Sequence, residues 1–414
     1  MTLQLDPPAG DPTTRRKFQY TDLVGNNNKF YLVETWDLGR GRVHFRATYG
    51  RVGAAKPQSN SKIVSPDWVA AQIGEKLDKG YQEVALARPV LASAFTEAAP
   101  AATLPTGVGP LIDWIFREAG ERIAGYLACN VDTLSPAQIA RGRDLLDQAQ
   151  RQFQVWQQAR AAAEFRTLAA TVQGFYNSIP TQLPHRIDPQ EVVLGFCRDF
   201  NEQETRLNQL QAALATLVQP GGSAQEEQAA RYGLLGVELG LLPPTDPAYA
   251  ALVERITRTS VHGYRIGVQQ IFRVTIPGER TAFGTEIRGK SAVEQLFHGT
   301  RNPNVRHILH SGLICPRTPA NGRMFGDGIY FADKVSKSAN FCGGSAGGPQ
   351  MFFLADVALG QRWRTRSAQA HLQAPPAGYD SVMGEAGGSL RNNEFIVYQA
   401  SQQTLQYLVT FERQ

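Results

Sequence analysis

The hydrophobic period of this chain changes twice, and a single core cannot accommodate that. From 29 to 53, KFYLVETWDL and RVHFRATYG alternate apolar and polar residues around a Gly-Arg-Gly turn, the signature of a β-hairpin. Between 108 and 240 strand signals all but vanish, and LIDWIFREAGERIAGYL, IARGRDLLDQAQRQFQVWQQ and TRLNQLQAALATLV carry apolar stripes at helical spacing. From about 250 the period returns to two, in HGYRIGVQQIFRVTI, AVEQLFHGT, DGIYFAD, QMFFLADVALG, NNEFIVYQAS and QYLVTFE. A small sheet, an all-α helical bundle and a mostly antiparallel β domain are expected in that order, which makes the chain a multi-domain α+β protein. Its 414 residues, 42% of them apolar, suffice for roughly two to four cores.

Local punctuation agrees with this division. A helix is expected at about 66–80, where Ser65 or Asp67 can cap and Trp68, Ile73 and Leu77 form a stripe. TLSPAQIARGRDLL sets Ser135 as a cap and Pro136 at the first helical position. ARPVLASAFTEAAPAATLPTG (87–107) reads as a linker, PGGSAQEEQ (220–228) as a loop within the bundle, and GLLPPTDP (240–247) as a second boundary. No internal repeat is visible. GDGIYF holds a GxG but leads into a strand and not a helix, so the dinucleotide-binding fingerprint fails its context.

The net charge of +5 is concentrated at one end. Residues 15–65 hold ten Lys/Arg against three acids, whereas 66–414 balance 32 bases with 32 acids. Phe18, Tyr20, Phe30, Tyr31, Trp36, Phe45 and Tyr49 are interleaved with that positive charge, the mixture that neutralises phosphates and stacks on exposed bases or sugars. An ordinary small sheet with solvated Arg and Lys on its outer face is the alternative. Cys129, Cys197, Cys315 and Cys342 are scattered without a CxxC pair, which fits neither a disulfide framework nor a zinc ribbon. With no apolar leader in MTLQLDPPAGDPTT and no run of roughly 18 apolar residues, the expectation is a soluble intracellular protein without a membrane partner.

LFHGT, MFGDGIYFADKVSKSANFC and NNEFIVY then appear in order. Singly, a strand-end histidine, a strand tyrosine and a strand-opening glutamate are ordinary core or edge residues. Together they resemble the diphtheria-toxin-like ADP-ribosyltransferase domain of the poly(ADP-ribose) polymerases, with His298, Tyr330 and Glu394 as its His-Tyr-Glu triad. TLSPAQIARGRDLL and FYNSIP look like the helical regulatory domain of that family, and NKFYLVETW with RATYGRVG looks like its WGR domain. The resemblance implies a disordered tail at 1–14, a WGR-like DNA-binding domain at 15–90, a linker at 91–106, a helical regulatory domain at 107–242 and the catalytic domain at 243–414.

It also implies NAD+ as substrate and no metal. His298 would bond a hydroxyl of the adenine-side ribose, the backbone of Gly299 and the hydroxyl of Ser338 would hold the carboxamide, and Tyr330 with Phe341 would sandwich the nicotinamide ring. Glu394 would bond the nicotinamide ribose, stabilise positive charge at its anomeric carbon and orient or deprotonate the acceptor. Thr300 and Gly312 fall where the family contacts adenosine, Lys337 lies toward the acceptor, and Arg317 stands near an adenosine-contacting arginine. His307 and His310 form an HxxH without a third ligand and read as helix-surface histidines.

The chain departs from the family in PRTPANGRMFG, which is short for the loop that lines the donor site, and at the motif that names the WGR domain. It has Tyr49-Gly50-Arg51 in place of Trp-Gly-Arg, which keeps an aromatic face on a smaller platform. Trp36, Arg40, Arg42, Tyr49, Gly50, Arg51 and Lys56 are the candidate DNA-contacting or coupling residues. The implied activity is a poly(ADP-ribose) polymerase stimulated by DNA strand breaks that modifies itself and other proteins, compact in plan. The alternatives are a mono-ADP-ribosyltransferase or NAD+ glycohydrolase, because 366–392 is short for an acceptor region, and a DNA-end-binding scaffold with a silent catalytic domain. Nucleus and bacterial cytoplasm or nucleoid both suit such a protein.

Overall fold

The structure is a computed structural model, and it describes residues 7–8, 10–52, 54, 56–84, 104–129, 131–184, 186–217, 223–287, 292–316, 323–343, 348–387 and 390–414. Arg317 and most of the 91–106 linker lie outside the described residues.

The N-terminal sheet contains β1 (Thr14–Asp22), β2 (Asn27–Asp37), β3 (Val43–Arg51) and β4 (Gln58–Val64), then helix α1 (Pro66–Asp78) and β5 (Gln82–Val84), in the antiparallel order β4-β3-β2-β1-β5. Period-two alternation places Tyr31 and Val33 of β2 and Phe45 and Ala47 of β3 on one face, where they pack with Phe18, Val69 and Ile73. Ser65 caps α1 by accepting from Trp68 N, as its sequence predicts, and Trp68 meets Phe45 edge-on at 5.2 Å.

The helices are α2 (Gly109–Tyr126), α3 (Pro136–Ala159), α4 (Ala162–Ser178), α5 (Pro189–Arg198), α6 (Phe200–Ala215) and α7 (Ala224–Leu235). Ser135 and Gln138 form a capping box at α3 with Pro136 at the first helical position, so the expected start is the observed one.

The remaining elements are β6 (Glu238–Leu241), α8 (Pro247–Thr259), β7 (Ile266–Thr275), α9 (Glu279–Glu286), β8 (Val293–Gly299), α10 (Val305–Ser311), β9 (Ile329–Phe331), α11 (Val335–Ala339), β10 (Gln350–Ala358), β11 (Arg362–Thr365), β12 (Ser381–Gly384), β13 (Glu394–Val397) and β14 (Gln403–Arg413). They build two sheets, ordered β6-β7-β14-β10-β8 and β11-β12-β13-β9, antiparallel throughout except for β11 with β12. The sheet content is therefore mostly antiparallel, as expected. β6 falls within the segment read as helical and pairs with β7, with Leu242 N donating to Ile271 O at 2.8 Å.

The chain forms two compact units, residues 1–94 with 123–203 and residues 95–122 with 204–414, so the divisions fall inside α2 and α6. In the first unit, polar groups of the small sheet bond the end of α4 and the segment beyond it. Thr21 N donates to Asn177 Oδ1 (2.9 Å), Leu23 N to Gln173 Oε1 (3.1 Å) and Asn28 Nδ2 to Thr181 O (3.3 Å). In the second unit, Val108, Leu111, Ile112 and Ile115 of the α2 stretch share one apolar cluster with Val305, Ile308 and Leu309 of α10 and with Phe353 and Leu408 of the larger sheet. Arg306 of α10 is buried, its guanidinium donating to Thr216 Oγ1 and Ala213 O while lying 4.1 Å over the Phe116 ring.

Candidate active site

The two sheets of the second unit meet where β8 ends. Phe297 and Ala332 exchange backbone hydrogen bonds of 2.9 Å in both directions, which ties the edge strand β8 to the edge strand β9. The residues expected to carry the chemistry lie along this seam. His298 directly follows the bridging Phe297, and Tyr330 lies two residues before Ala332. Tyr330 pairs in turn with Ile396 of β13, whose first residue is Glu394. The three residues separated by 96 positions in sequence thus lie on three successive strands.

His298 is half-buried, and its Nδ1–H donates to the Tyr330 carbonyl at 2.9 Å, since a carbonyl can only accept. That bond fixes the tautomer and leaves Nε2 as an acceptor for a ligand hydroxyl. Burial pulls the imidazole pKa below its ordinary value, against the opposing effect of the Tyr330 carbonyl, so the ring is held neutral. Tyr330 Oη donates to Gly326 O (2.8 Å) and accepts from Phe325 N (3.0 Å), which locks the ring against the 323–326 turn. Burial raises the pKa of this phenol, so Tyr330 is an aromatic wall and not an acid. Tyr398, which sequence reasoning did not single out, donates to Phe325 O at 2.6 Å and secures the same turn. The signal was available, because Tyr398 lies four residues after Glu394 on a period-two segment.

Glu394 and Lys337 form an ion pair with Nζ 2.7 Å from Oε1, the side chains being only 13% and 14% exposed. Lys337 Nζ also donates to Asn392 O at 3.3 Å. Lys337 stands on α11, one residue before Ser338, so the helix that carries the expected carboxamide contact also orients the carboxylate. Ser338 Oγ donates to Phe297 O at 3.0 Å, and its lone pairs remain for a ligand N–H. A Cβ on Gly299 would stand 1.8 Å from the Ser338 carbonyl oxygen, so glycine here lets α11 lie directly on β8. The GxG of GDGIYF has a similar origin, for a Cβ on Gly326 would stand 1.8 Å from Leu372 O.

The other expected donor-site residues are distributed around this seam. Buried Thr300 accepts at Oγ1 from Asn304 Nδ2 (3.1 Å), and Asn304 Oδ1 accepts from Gln209 Nε2 of α6 (2.7 Å). Gly312 ends α10, its N–H donating to Ile308 O. Phe341 follows α11 and is 61% exposed. His307 and His310 lie on α10, and no group of three His, Cys, Asp or Glu residues able to hold a metal occurs among the described residues.

The N-terminal candidates separate into two groups. Arg40 and Arg42 in the β2–β3 turn and Lys56 in the β3–β4 connection are exposed and have no ion-pair partner among the described residues. The others are held by contacts within the first unit. Trp36 is buried, 6% exposed, and donates from its indole N–H to Gly10 O, so it holds part of the segment expected to be disordered; Asp37 N donates to Thr13 Oγ1 beside it. Tyr49 packs on Tyr31 at 6.0 Å, Gly50 pairs with Phe30, and Arg51 donates to Asn26 O and to Pro184 O, joining the β1–β2 turn to the chain beyond α4.

Residues 249–387 match the family model of the poly(ADP-ribose) polymerase catalytic domain and residues 14–87 that of the WGR domain. Glu394 lies beyond the matched residues and joins the site through β13. The chain is 25% identical to Poly [ADP-ribose] polymerase 2-B of Oryza sativa subsp. japonica over 97% of its own length and 72% of that protein. It is 28% identical to Poly [ADP-ribose] polymerase 1 of Danio rerio over 56% of this chain, which corresponds to 27% of that protein. Against Protein mono-ADP-ribosyltransferase PARP3 of Gallus gallus it is 30% identical over 60% of this chain and 46% of the relative, so it spans less than half of these last two proteins. No helix among the described residues is long and apolar enough to cross a membrane. The chain thus carries a catalytic domain of the poly(ADP-ribose) polymerase family, an NAD+ ADP-ribosyltransferase domain, and a WGR domain toward its N-terminal end.

Proposed function

We propose that this protein is a poly(ADP-ribose) polymerase stimulated by DNA strand breaks, which transfers ADP-ribose from NAD+ to itself and to other proteins and elongates the product inside the cell. The observation that carries the transferase reading is the Glu394–Lys337 pair at the head of β13, beside the strand that holds Tyr330. In the reaction the bond between nicotinamide and the ribose anomeric carbon breaks, and neutral nicotinamide leaves with the bonding pair. The acceptor oxygen supplies a new pair to that carbon and gives its proton to the Glu394 carboxylate. Glu394 also stabilises the oxocarbenium-like charge, His298 Nε2 accepts from a ribose hydroxyl, and Tyr330 with Phe341 fixes the nicotinamide plane.

The DNA part of the reading is supported by Arg40 and Arg42, exposed in the β2–β3 turn at one end of the small sheet, by Lys56, exposed in the β3–β4 connection at the other, and by Arg51, which bonds that sheet to the segment after α4. Mono-ADP-ribosylation is the second reading, favoured by the name of the Gallus gallus relative and the short 366–392 segment. The test is NAD+ consumption and product length for the full chain, with and without a nicked 5′-phosphorylated duplex, beside Glu394→Gln. Long products that need both DNA and Glu394 are expected. Single-unit products would transfer the conclusion to the mono reading, and DNA-indifferent turnover would remove the regulation.

A further inference from the structure

The segment between α8 and β7 contains a histidine that neither the motifs nor the transferase reading uses. His262 sits between two asparagines, with Nδ1 3.1 Å from Asn340 Nδ2 and Nε2 3.0 Å from Asn392 Nδ2. Asn340 ends α11, the helix of Lys337 and Ser338, and Asn392 belongs to the loop that enters β13 and Glu394. The same segment is bonded to α11 twice more. Val261 N donates to Ser336 Oγ at 3.1 Å, and Tyr264 Oη lies 2.8 Å from Ser336 O and 2.7 Å from Asn340 Oδ1.

We propose that His262 is a positioning residue, which sets the Lys337–Glu394 pair by clamping Asn392 to Asn340. The inference rests on the transferase reading for its kinetic consequence, and on geometry for the clamp itself. Asn392 offers its side chain to His262 and its carbonyl to Lys337 Nζ, so the place of that carbonyl decides where the ammonium stands and with it the carboxylate 2.7 Å away. Each of these links is direct.

A neutral ring fits the clamp with Asn340 as it stands. A neutral imidazole has one donor and one acceptor. With Tyr264 Oη donating to Asn340 Oδ1, the Asn340 amide N–H faces Nδ1, and Nδ1 accepts. Nε2–H then donates to the carboxamide oxygen of Asn392, which a half-turn of that amide presents. Adding a proton to Nδ1 sets N–H against N–H and forces the relay to be rebuilt. The charged groups acting on the ring agree in sign: burial lowers the His262 pKa, the cations Arg391 and Lys337 lower it further, and only the Asn340 bond opposes them. Tyr264, edge-on at 6.2 Å, adds no charge.

The test is a double-mutant cycle on the full chain, His262→Ala, Asn392→Ala and both, with kcat and KM for NAD+ measured across pH, and with His262→Gln as the conservative variant. We expect each single change to lower kcat by about tenfold with KM nearly unchanged, the double to be no worse than either single, and glutamine to restore most of the rate while abolishing the acid limb attributable to His262. Multiplicative losses, or an acid limb that survives in His262→Gln, would overturn the clamp. If wild type shows no NAD+ turnover at all, the transferase reading fails by itself, and the clamp is then read from the side-chain amide resonances of Asn392. Resonances that titrate in wild type and not in His262→Gln support it, and resonances indifferent to pH overturn it.

Discussion

Replacing Lys337 by methionine isolates the contribution of one charge to the site, since the stem is kept and only the ammonium is lost. The ammonium lies 2.7 Å from Glu394 Oε1, and at an effective dielectric of ~20 unit charges at that spacing attract by ~6 kcal/mol. Most of this is offset by withdrawing both groups from water, because they keep only 14% and 13% of their side-chain exposure, so ~2 kcal/mol is a reasonable net coupling. If that energy holds Glu394 in its reactive position, its loss lowers kcat by ~30-fold. KM for NAD+ should change less than ~3-fold, because the proposed donor contacts are made by His298, Gly299, Tyr330, Ser338 and Phe341 and not by the lysine. Initial-rate NAD+ consumption measures both constants, and Glu394→Gln with and without Lys337→Met completes the comparison. With glutamine there is no carboxylate charge for the lysine to hold, so the second change should cost nothing further. A raised KM with kcat intact would show that Lys337 serves donor binding, and rate losses that multiply would show that the pair does not act as a unit.

Other consequences follow from single contacts. Gly299→Ala places a Cβ against the Ser338 carbonyl, a backbone atom without freedom to retreat, so a loss of ~3 kcal/mol in urea denaturation together with loss of NAD+ turnover is expected; a midpoint equal to wild type would refute the close packing of α11 on β8. The neutral His298 makes stability pH-dependent. Its folded pKa lies below the ordinary 6.5, so the unfolded chain takes up a proton that the folded one does not, and stability present above pH 6.5 declines as pH falls through the window below it. His298→Gln should flatten that part of the stability profile, and an identical slope in both proteins would contradict it. Finally, Arg40→Ala with Arg42→Ala should weaken duplex binding and reduce the slope of log affinity against log salt by about 2, whereas an unaltered slope would place the DNA contact elsewhere on the chain.

The fold was legible where burial and polarity coincide. β2, β3, β8, β10 and β14 alternate or run apolar, and Ser135, Pro136 and Gln138 announce α3 from side-chain chemistry alone. β1 escaped because its inward face is partly polar. Gln19 and Thr21 are almost wholly buried, since they meet the end of α4, where Gln19 Nε2 donates to Tyr176 O and Thr21 N to Asn177 Oδ1. Polar residues satisfied by a distant helix look solvated in a sequence. β6, β11 and β12 escaped for a different reason, because four residues are too few to establish a period, and they become strands only through neighbours supplied by the rest of the sheet.

Within the candidate site, the side chains proposed to meet substrate were visible as motifs, whereas the contacts that place them were not, and the difference has a physical origin. His298 is oriented by the Tyr330 carbonyl, Ser338 by the Phe297 carbonyl, Lys337 partly by the Asn392 carbonyl, and Gly299 is demanded by the Ser338 carbonyl. Every residue carries a backbone carbonyl, so a site organised by carbonyls leaves no mark in residue identity apart from the glycine that must make room. Trp36 shows the converse. Its residue type and basic surroundings suggest a stacking platform, yet the indole is turned inward to the Gly10 carbonyl, while Arg40, Arg42 and Lys56 in the connections of the small sheet stay exposed. A side chain therefore advertises what it can bond, and the backbone it finds decides whether that capacity is spent inside the fold or kept for a ligand.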